Sequence, residues 1–157
     1  MIRMLFFSPY PEMLPVIQQV FSERPDKDEF QYEVILDAYN NPLDNVNADV
    51  AIARGFTAHT LQKRGFLSAE LKVSGYDVIA AIDKCRKMGP VKKIALVGAF
   101  NMIYGSENAE AIYPELKITG YPIMDETMLE EKIQQAIADG NDAIVGGYTS
   151  TLIAKKY

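Results

Sequence analysis

Apolar positions along the chain fall alternately into short runs and helical stripes. Ile2 to Phe7 is nearly all apolar and stops at Ser8-Pro9, the pattern of a strand covered on both faces, as in a parallel sheet. Met13, Ile17, Val20 and Phe21 then recur at helical spacing and predict a helix over 13–23, with Pro15 tolerable only in its first turn. Charged Ser22–Glu29 reads as a loop, Tyr32–Asp37 as a second strand, and Asn40-Asn41-Pro42 as a break. Asp49–Ala53 is a third strand, turning at Gly55 into a helix over Thr57–Arg64. Ala69–Val73 follows as a strand whose Glu70 and Lys72 alternate with apolar residues, as at a sheet edge. The best-marked helix covers Ser74–Met88. It has Val78, Ile82 and Cys85 on one stripe, Gly89 at its stop and Pro90 beyond.

The pattern then restarts. Lys93–Gly98 is a strand, followed by a weak helix near 106–112 and a strand near 115–121. Leu129, Ile133, Ala136 and Ile137 form a helix opened by a capping-box pattern, Thr127-x-x-Glu130, and stopped by Gly140. Ala143–Val145 is the last strand and Thr149 opens the last helix. Strands alternating with helices predict an α/β fold with parallel sheets. Sliding the chain along itself lays Ala51-Ile52 on Ala143-Ile144, Gly55 on Gly147, Phe56 on Tyr148, Thr57 on Thr149, Lys63 on Lys155 and Ile2 on Ile94. The repeat predicts two similar α/β lobes, 1–89 and 90–157, with Gly55 and Gly147 facing each other across a cleft. Each lobe has a glycine-aromatic-threonine turn where a strand's carboxyl end meets a helix, the edge where open α/β sheets bind ligands.

Composition narrows the function classes. The 157 residues carry 21 Asp+Glu against 16 Lys+Arg, a net charge of -5, so the electrostatic footprint of a nucleic-acid binder is missing. One cysteine, Cys85, excludes an internal disulfide, a zinc finger and a dithiol redox site. No apolar run approaches the roughly 18 residues of a membrane span, and the opening lacks a cleavage signal. A soluble, cytoplasmic chain without membrane or nucleic-acid contacts is expected.

Few residues then remain as candidates for chemistry. Arg54-Gly55-Phe56-Thr57 puts a cation, a glycine that lets the backbone come close and a hydroxyl cap at one helix start, where free N–H groups and the helix dipole favour a carboxylate or phosphate. The alternative is a tight turn with Thr57 as cap and Arg54 in water. Gly146-Gly147-Tyr148-Thr149 is the second copy, with backbone donors alone. Ser74-Gly75-Tyr76-Asp77 fits a capping box, which leaves Tyr76 unexplained. Ser8-Pro9-Tyr10-Pro11 and Asn101 end the first strands of the two halves. His59 has no triad partner in the sequence, and Cys85 sits on an apolar stripe, where cysteine is usually a core residue. Nucleotide-binding glycine motifs are absent, and the acidic residues a phosphoacceptor domain needs are replaced by Ser8-Pro9 and Ala53-Arg54.

Asp49 to Ala58, then Val73-Ser74-Gly75-Tyr76-Asp77-Val78, then Asp142 to Gly147, resemble the amino-terminal sensory domain of the propionate catabolism activator family along nearly the whole chain. The resemblance implies two Rossmann-like parallel-sheet lobes around a cleft, similar to periplasmic binding proteins. It also implies a ligand-sensing role, with a small organic acid such as 2-methylcitrate held in the cleft. Members of the family are sigma-54-dependent transcription activators, so an AAA+ ATPase module and a helix-turn-helix are expected outside these residues. Three departures stand out: Phe56 in place of a second glycine, Phe66–Leu71 in place of a proline-led strand, and an end at Tyr157 where the family continues through another strand and helix. The first narrows the pocket; the last gives a second lobe expected to be short at its carboxyl end.

The expected ligand contacts are Arg54, Gly55, Phe56, Thr57, Ser74, Gly75, Tyr76, Asn101, Gly146, Gly147, Tyr148 and Thr149, with no cofactor, no metal and no catalysis. Ligand binding would favour one arrangement of the lobes by differential affinity and pass the change to an output module. A homodimer is compatible with this plan. The competing reading is a racemase or isomerase acting on a small carboxylic acid, although such enzymes set one cysteine in each lobe and this chain has one in all.

Overall fold

In the computed structural model, which describes residues 1–36, 46–103 and 106–157, the first apolar run is strand β1 (Ile2–Ser8). Its alternate residues serve two layers. Leu5 and Phe7 pack with Ala51, Ala53, Ala58 and Leu61, while Phe6 packs with Ile17 and Phe21. A strand with both faces covered has no place for polar residues at its centre, hence the apolar run Met4–Phe7. Ile17 and Phe21 come from α1 (Leu14–Glu23), which carries Pro15 in its first turn. The chain continues through β2 (Phe30–Leu36), β3 (Val50–Ala53), α2 (Gly55–Lys63) and β4 (Ser68–Glu70). All neighbouring strands are parallel, in the order β2-β1-β3-β4, so β4 is an edge as expected, although it spans Ser68–Glu70 and not 69–73, which leaves Lys72 outside the strand. The predicted end of the second strand at Asp37 and the break at Asn40-Asn41-Pro42 lie outside the described residues.

The second half comprises α3 (Gly75–Lys87), β5 (Lys93–Ala99), α4 (Phe100–Ile103), a 3-10 stretch at Ser106–Ala111, β6 (Lys117–Ile123), α5 (Leu129–Ala138), β7 (Ala143–Gly146) and α6 (Tyr148–Ala154). Its parallel sheet has the order β6-β5-β7. On one face Ile94 and Leu96 of β5 and Ile118 of β6 pack with Ile82 of α3, Tyr113 and Leu116. On the other, α5 packs on β5 and β6 and buries Leu129, Ile133 and Ala136. Each such fully buried Leu or Ile contributes about 1.5–3 kcal/mol relative to exposure.

Three expectations change in the structure. The chain divides into units Met1–Leu71 and Lys72–Tyr157, not at 89/90. Helix α3 ends where Gly89-Pro90 predict, but its stripe Val78, Ile79, Ile82 and Cys85 joins the core of the second sheet. A helix stop is therefore not a domain boundary here. The start of α5 is also set differently: Asp125, not Thr127, caps the 3-10 turn Glu126–Met128 that leads into it, accepting from the Thr127 N–H and hydroxyl. Finally, Leu5 pairs with Ala51 and Ile94 with Ala143. With Ala51 set on Ala143, the position of Ile94 belongs to Leu5, not to Ile2. The repeat is one of topology, β1, β2 and β3 matching β5, β6 and β7, rather than of a single constant offset.

Candidate functional site

The carboxyl edge of the first sheet is where Arg54 stands. Strand β3 ends at Ala53, Arg54 stays extended (φ -123, ψ 155), and Gly55 adopts φ 51, a left-handed conformation that glycine adopts without strain. Helix α2 then starts at Gly55, two residues before the predicted start, so Thr57 lies inside the first turn instead of capping it. Arg54 is the residue at the cap position, and its side chain makes no capping bond. The first-turn N–H groups of α2 thus lack a side-chain acceptor from the cap residue, and the first turn holds no acidic residue to meet the positive end of the helix dipole. The Arg54 side chain, in a half-buried residue, makes no hydrogen bond or ion pair with any described residue. Phe56 and Thr57 are half-buried beside it. Ser8, at the end of neighbouring β1, is fully buried and donates from Oγ to the Tyr10 carbonyl at 2.8 Å, which fixes the Ser8–Pro11 loop.

The second unit gathers the other candidates along the carboxyl edge of its own sheet. Helix α3 feeds into the amino end of β5, so its own start, Ser74-Gly75-Tyr76, lies at the opposite, carboxyl edge. Ser74 makes the predicted capping box. Its Oγ accepts from the Asp77 N–H at 3.2 Å, and its N–H and hydroxyl donate to Asp77 Oδ2 at 2.9 and 2.7 Å. Tyr76 is 85% exposed. Asn101 is half-buried in α4, directly after β5. Gly146 ends β7, and Gly147 caps α6, which begins at Tyr148 with Thr149 next.

The two glycine-aromatic-threonine turns prove to be alike in place and unlike in detail. Gly55 is the first residue of its helix with φ 51, whereas Gly147 precedes its helix with φ -68. Gly146 has a packing reason to be glycine: a Cβ there would stand 2.5 Å from the Val97 carbonyl and 2.7 Å from the Ser150 Cβ. At Gly147 a Cβ would meet only Met102 Cε, at 3.5 Å, and at Gly75 nothing within 4 Å.

One residue at this edge escaped the sequence reading. Glu126 follows the end of β6 and is half-buried, and its side chain makes no hydrogen bond or ion pair with a described residue. Burial, and secondly the Asp125 carboxylate beside it, push its carboxyl above the usual range. Its position just past a parallel strand was the available signal, but the capping-box pattern drew attention to Thr127 instead. Among the described residues no group of three or more His, Cys, Asp or Glu is placed to hold a metal ion, and no helix is long and apolar enough to cross a membrane.

Comparison with known proteins adds to this geometry. No curated protein matches the chain. The crystal structure of an NtrC family transcriptional regulator from Clostridium acetobutylicum superposes with a TM-score of 0.79 at 19% identity, over 99% of this chain and 82% of that one. At that identity the likeness establishes the fold. An aspartate racemase homologue from Pyrococcus horikoshii matches at a TM-score of 0.35 and 13% identity, over 98% of this chain and 88% of that one, too loosely to carry an argument. The sequence profile described as propionate catabolism activator matches residues 32–157, most of the chain. This chain belongs to the propionate catabolism activator family, as a regulatory amino-terminal domain of the kind that serves transcriptional activators.

Proposed function

We propose that this regulatory domain senses a small organic acid and holds one of its carboxylates with Arg54 and the first-turn N–H groups of α2. The observation that carries the reading is the half-buried Arg54, whose side chain no described residue pairs, at an uncapped helix start. A guanidinium at such a helix start gains most from a partner that accepts several of its hydrogen bonds. A carboxylate can take two parallel N–H···O bonds from it while accepting backbone N–H groups as well. Gly55 keeps that backbone approachable, and Phe56 sets a wall that limits the acid's size.

The proposal extends to a finer assignment. The acid is of the 2-methylcitrate kind or smaller, with Thr57, Ser74, Gly75, Tyr76, Asn101, Gly146, Gly147, Tyr148 and Thr149 as further proposed contacts. In a full-length activator its binding would bias an attached ATPase and DNA-binding module through differential affinity for two states. Thermal-shift screening with mono-, di- and tricarboxylates, 2-methylcitrate among them, finds the ligand, because a molecule that binds only the folded chain raises its apparent stability. Calorimetric titration with the best acid should then show weaker binding in Arg54→Lys, which keeps the charge and loses the planar fork. In Arg54→Ala the loss should be about 10- to 100-fold, from a charge-assisted contact worth about 1.5–3 kcal/mol. Wild-type affinity in Arg54→Ala ends this reading.

A further inference from the structure

The two central strands of the first sheet send the chain to opposite sides. On one face Phe6 of β1 packs with Ile17 and Phe21 of α1, beside Ile52 of β3, while on the other Leu5, Phe7, Ala51 and Ala53 pack with Ala58 and Leu61 of α2. Strand β1 therefore leads into the helix on the first face and β3 into the helix on the second. Adjacent parallel strands whose connections part in this way leave a crevice outside their carboxyl ends, the place where open α/β sheets take ligands. One wall of it is Arg54-Gly55-Phe56. The other is Ser8-Pro9-Tyr10-Pro11, on which none of the contacts proposed above draws.

Register brings the two walls together. Phe6 pairs with Ile52, so two residues further on Ser8 stands level with Arg54, which is itself extended. Alternation along a strand puts the Arg54 side chain on the face of Phe6 and Ile52, the α1 face, and that is the side to which Ser8–Pro11 leads the chain. The loop is firmly held. Ser8 Oγ and the Met13 N–H both donate to the Tyr10 carbonyl, at 2.8 and 3.4 Å, and prolines flank Tyr10 on either side, which restricts its backbone further. Tyr10 is half-buried and extended (φ -152, ψ 151), and its side chain does not cap the 3-10 turn Pro11–Met13 that follows. We propose that Tyr10 is a second side-chain contact for the acid, its phenol O–H donating to the carboxylate that Arg54 holds. The proposal rests on the carboxylate site at Arg54 and adds to it a neutral donor from the opposite wall. A guanidinium fork occupies one side of a carboxylate and leaves lone pairs for further donors. A tyrosine whose backbone is already fixed gives up little freedom in supplying one.

Tyr10→Phe isolates the hydroxyl, because it keeps the ring and its packing. Calorimetric titration with whichever of citrate, 2-methylcitrate and succinate binds most tightly should show affinity about tenfold weaker in Tyr10→Phe, with the melting temperature of the acid-free chain unchanged. Arg54→Ala and the double variant belong in the same series. Since both donors serve one carboxylate, the double variant should lose less than the two single losses combined. Wild-type affinity in Tyr10→Phe while Arg54→Ala binds weakly overturns this inference and leaves the Arg54 site standing. Losses that multiply fully in the double variant overturn it as well, since the phenol and the guanidinium then act on separate groups. Wild-type affinity in Arg54→Ala, or no binding of any of the three acids, overturns the Arg54 site and this inference with it.

Discussion

Gly146 illustrates how a glycine that looks functional in sequence can be a packing residue. Adjacent glycines at the end of a strand suggest a backbone opened for a ligand, yet the space a methyl would need at 146 is filled by the Val97 carbonyl and Ser150. Backbone on one side and a fully packed helix residue on the other cannot both give way. Gly146→Ala should destabilise by about 1–3 kcal/mol, as overpacking does, whereas Gly147→Ala, with φ -68 and an ordinary contact to Met102, should stay within about 0.5 kcal/mol of wild type. Urea denaturation of the two variants checks the contrast, and equal midpoints would contradict it. Arg54 is the opposite case, since no described residue pairs the side chain of this half-buried arginine.

At the scale of elements, each sheet is latched at its amino edge by an aspartate preceding its third strand. Asp49 accepts from the Arg3 N–H at 2.8 Å, and Asp142 accepts from the N–H groups of both Lys92 and Lys93 at 2.8 Å. Those backbone donors hold both carboxyls below the usual aspartate range. A carboxyl depressed in the folded state contributes stability above its unfolded pKa of about 3.9, and that contribution is lost as pH falls through the folded value. The melting temperature should therefore drop below about pH 4 in the wild type. Asp142→Asn should melt lower at neutral pH and show a shallower acid drop, read by a pH series of thermal melts. Glu126 works with the other sign: its raised carboxyl favours the folded state at low pH and costs stability once ionised. Helix starts obey similarly local rules, since the Ser74–Asp77 box forms as written in the sequence.

At the scale of the molecule, the ownership of α3 decides how the chain is partitioned. Ile82 is fully buried with Ile94, Leu96 and Ile118, so the helix belongs to the second unit although the sequence appends it to the first. Ile82→Ala should cost about 2–5 kcal/mol and raise amide exchange in β5, β6 and β7, leaving β1 and β3 protected. Faster exchange confined to the first sheet would restore the division between residues 89 and 90.

The sequence by itself determined most of the strands and helices, though not the short α4, because period-two and helical stripes, Gly140 at φ 72 and the Ser74 box are local or periodic demands that each segment meets on its own. It also determined the family, through the order of Arg54-Gly55, Ser74-Gly75-Tyr76 and Gly146-Gly147. Tertiary structure alone decided the rest. Which sheet α3 joins depends on whose apolar surface receives Ile82. Whether Thr57 caps depends on the turn Gly55 makes, and whether Gly146 is needed for a ligand or for packing depends on how closely β7, β5 and α6 approach. Register, too, is set between strands: Leu5 takes the place of Ile94 because of the residue it faces, which no pattern within one strand records.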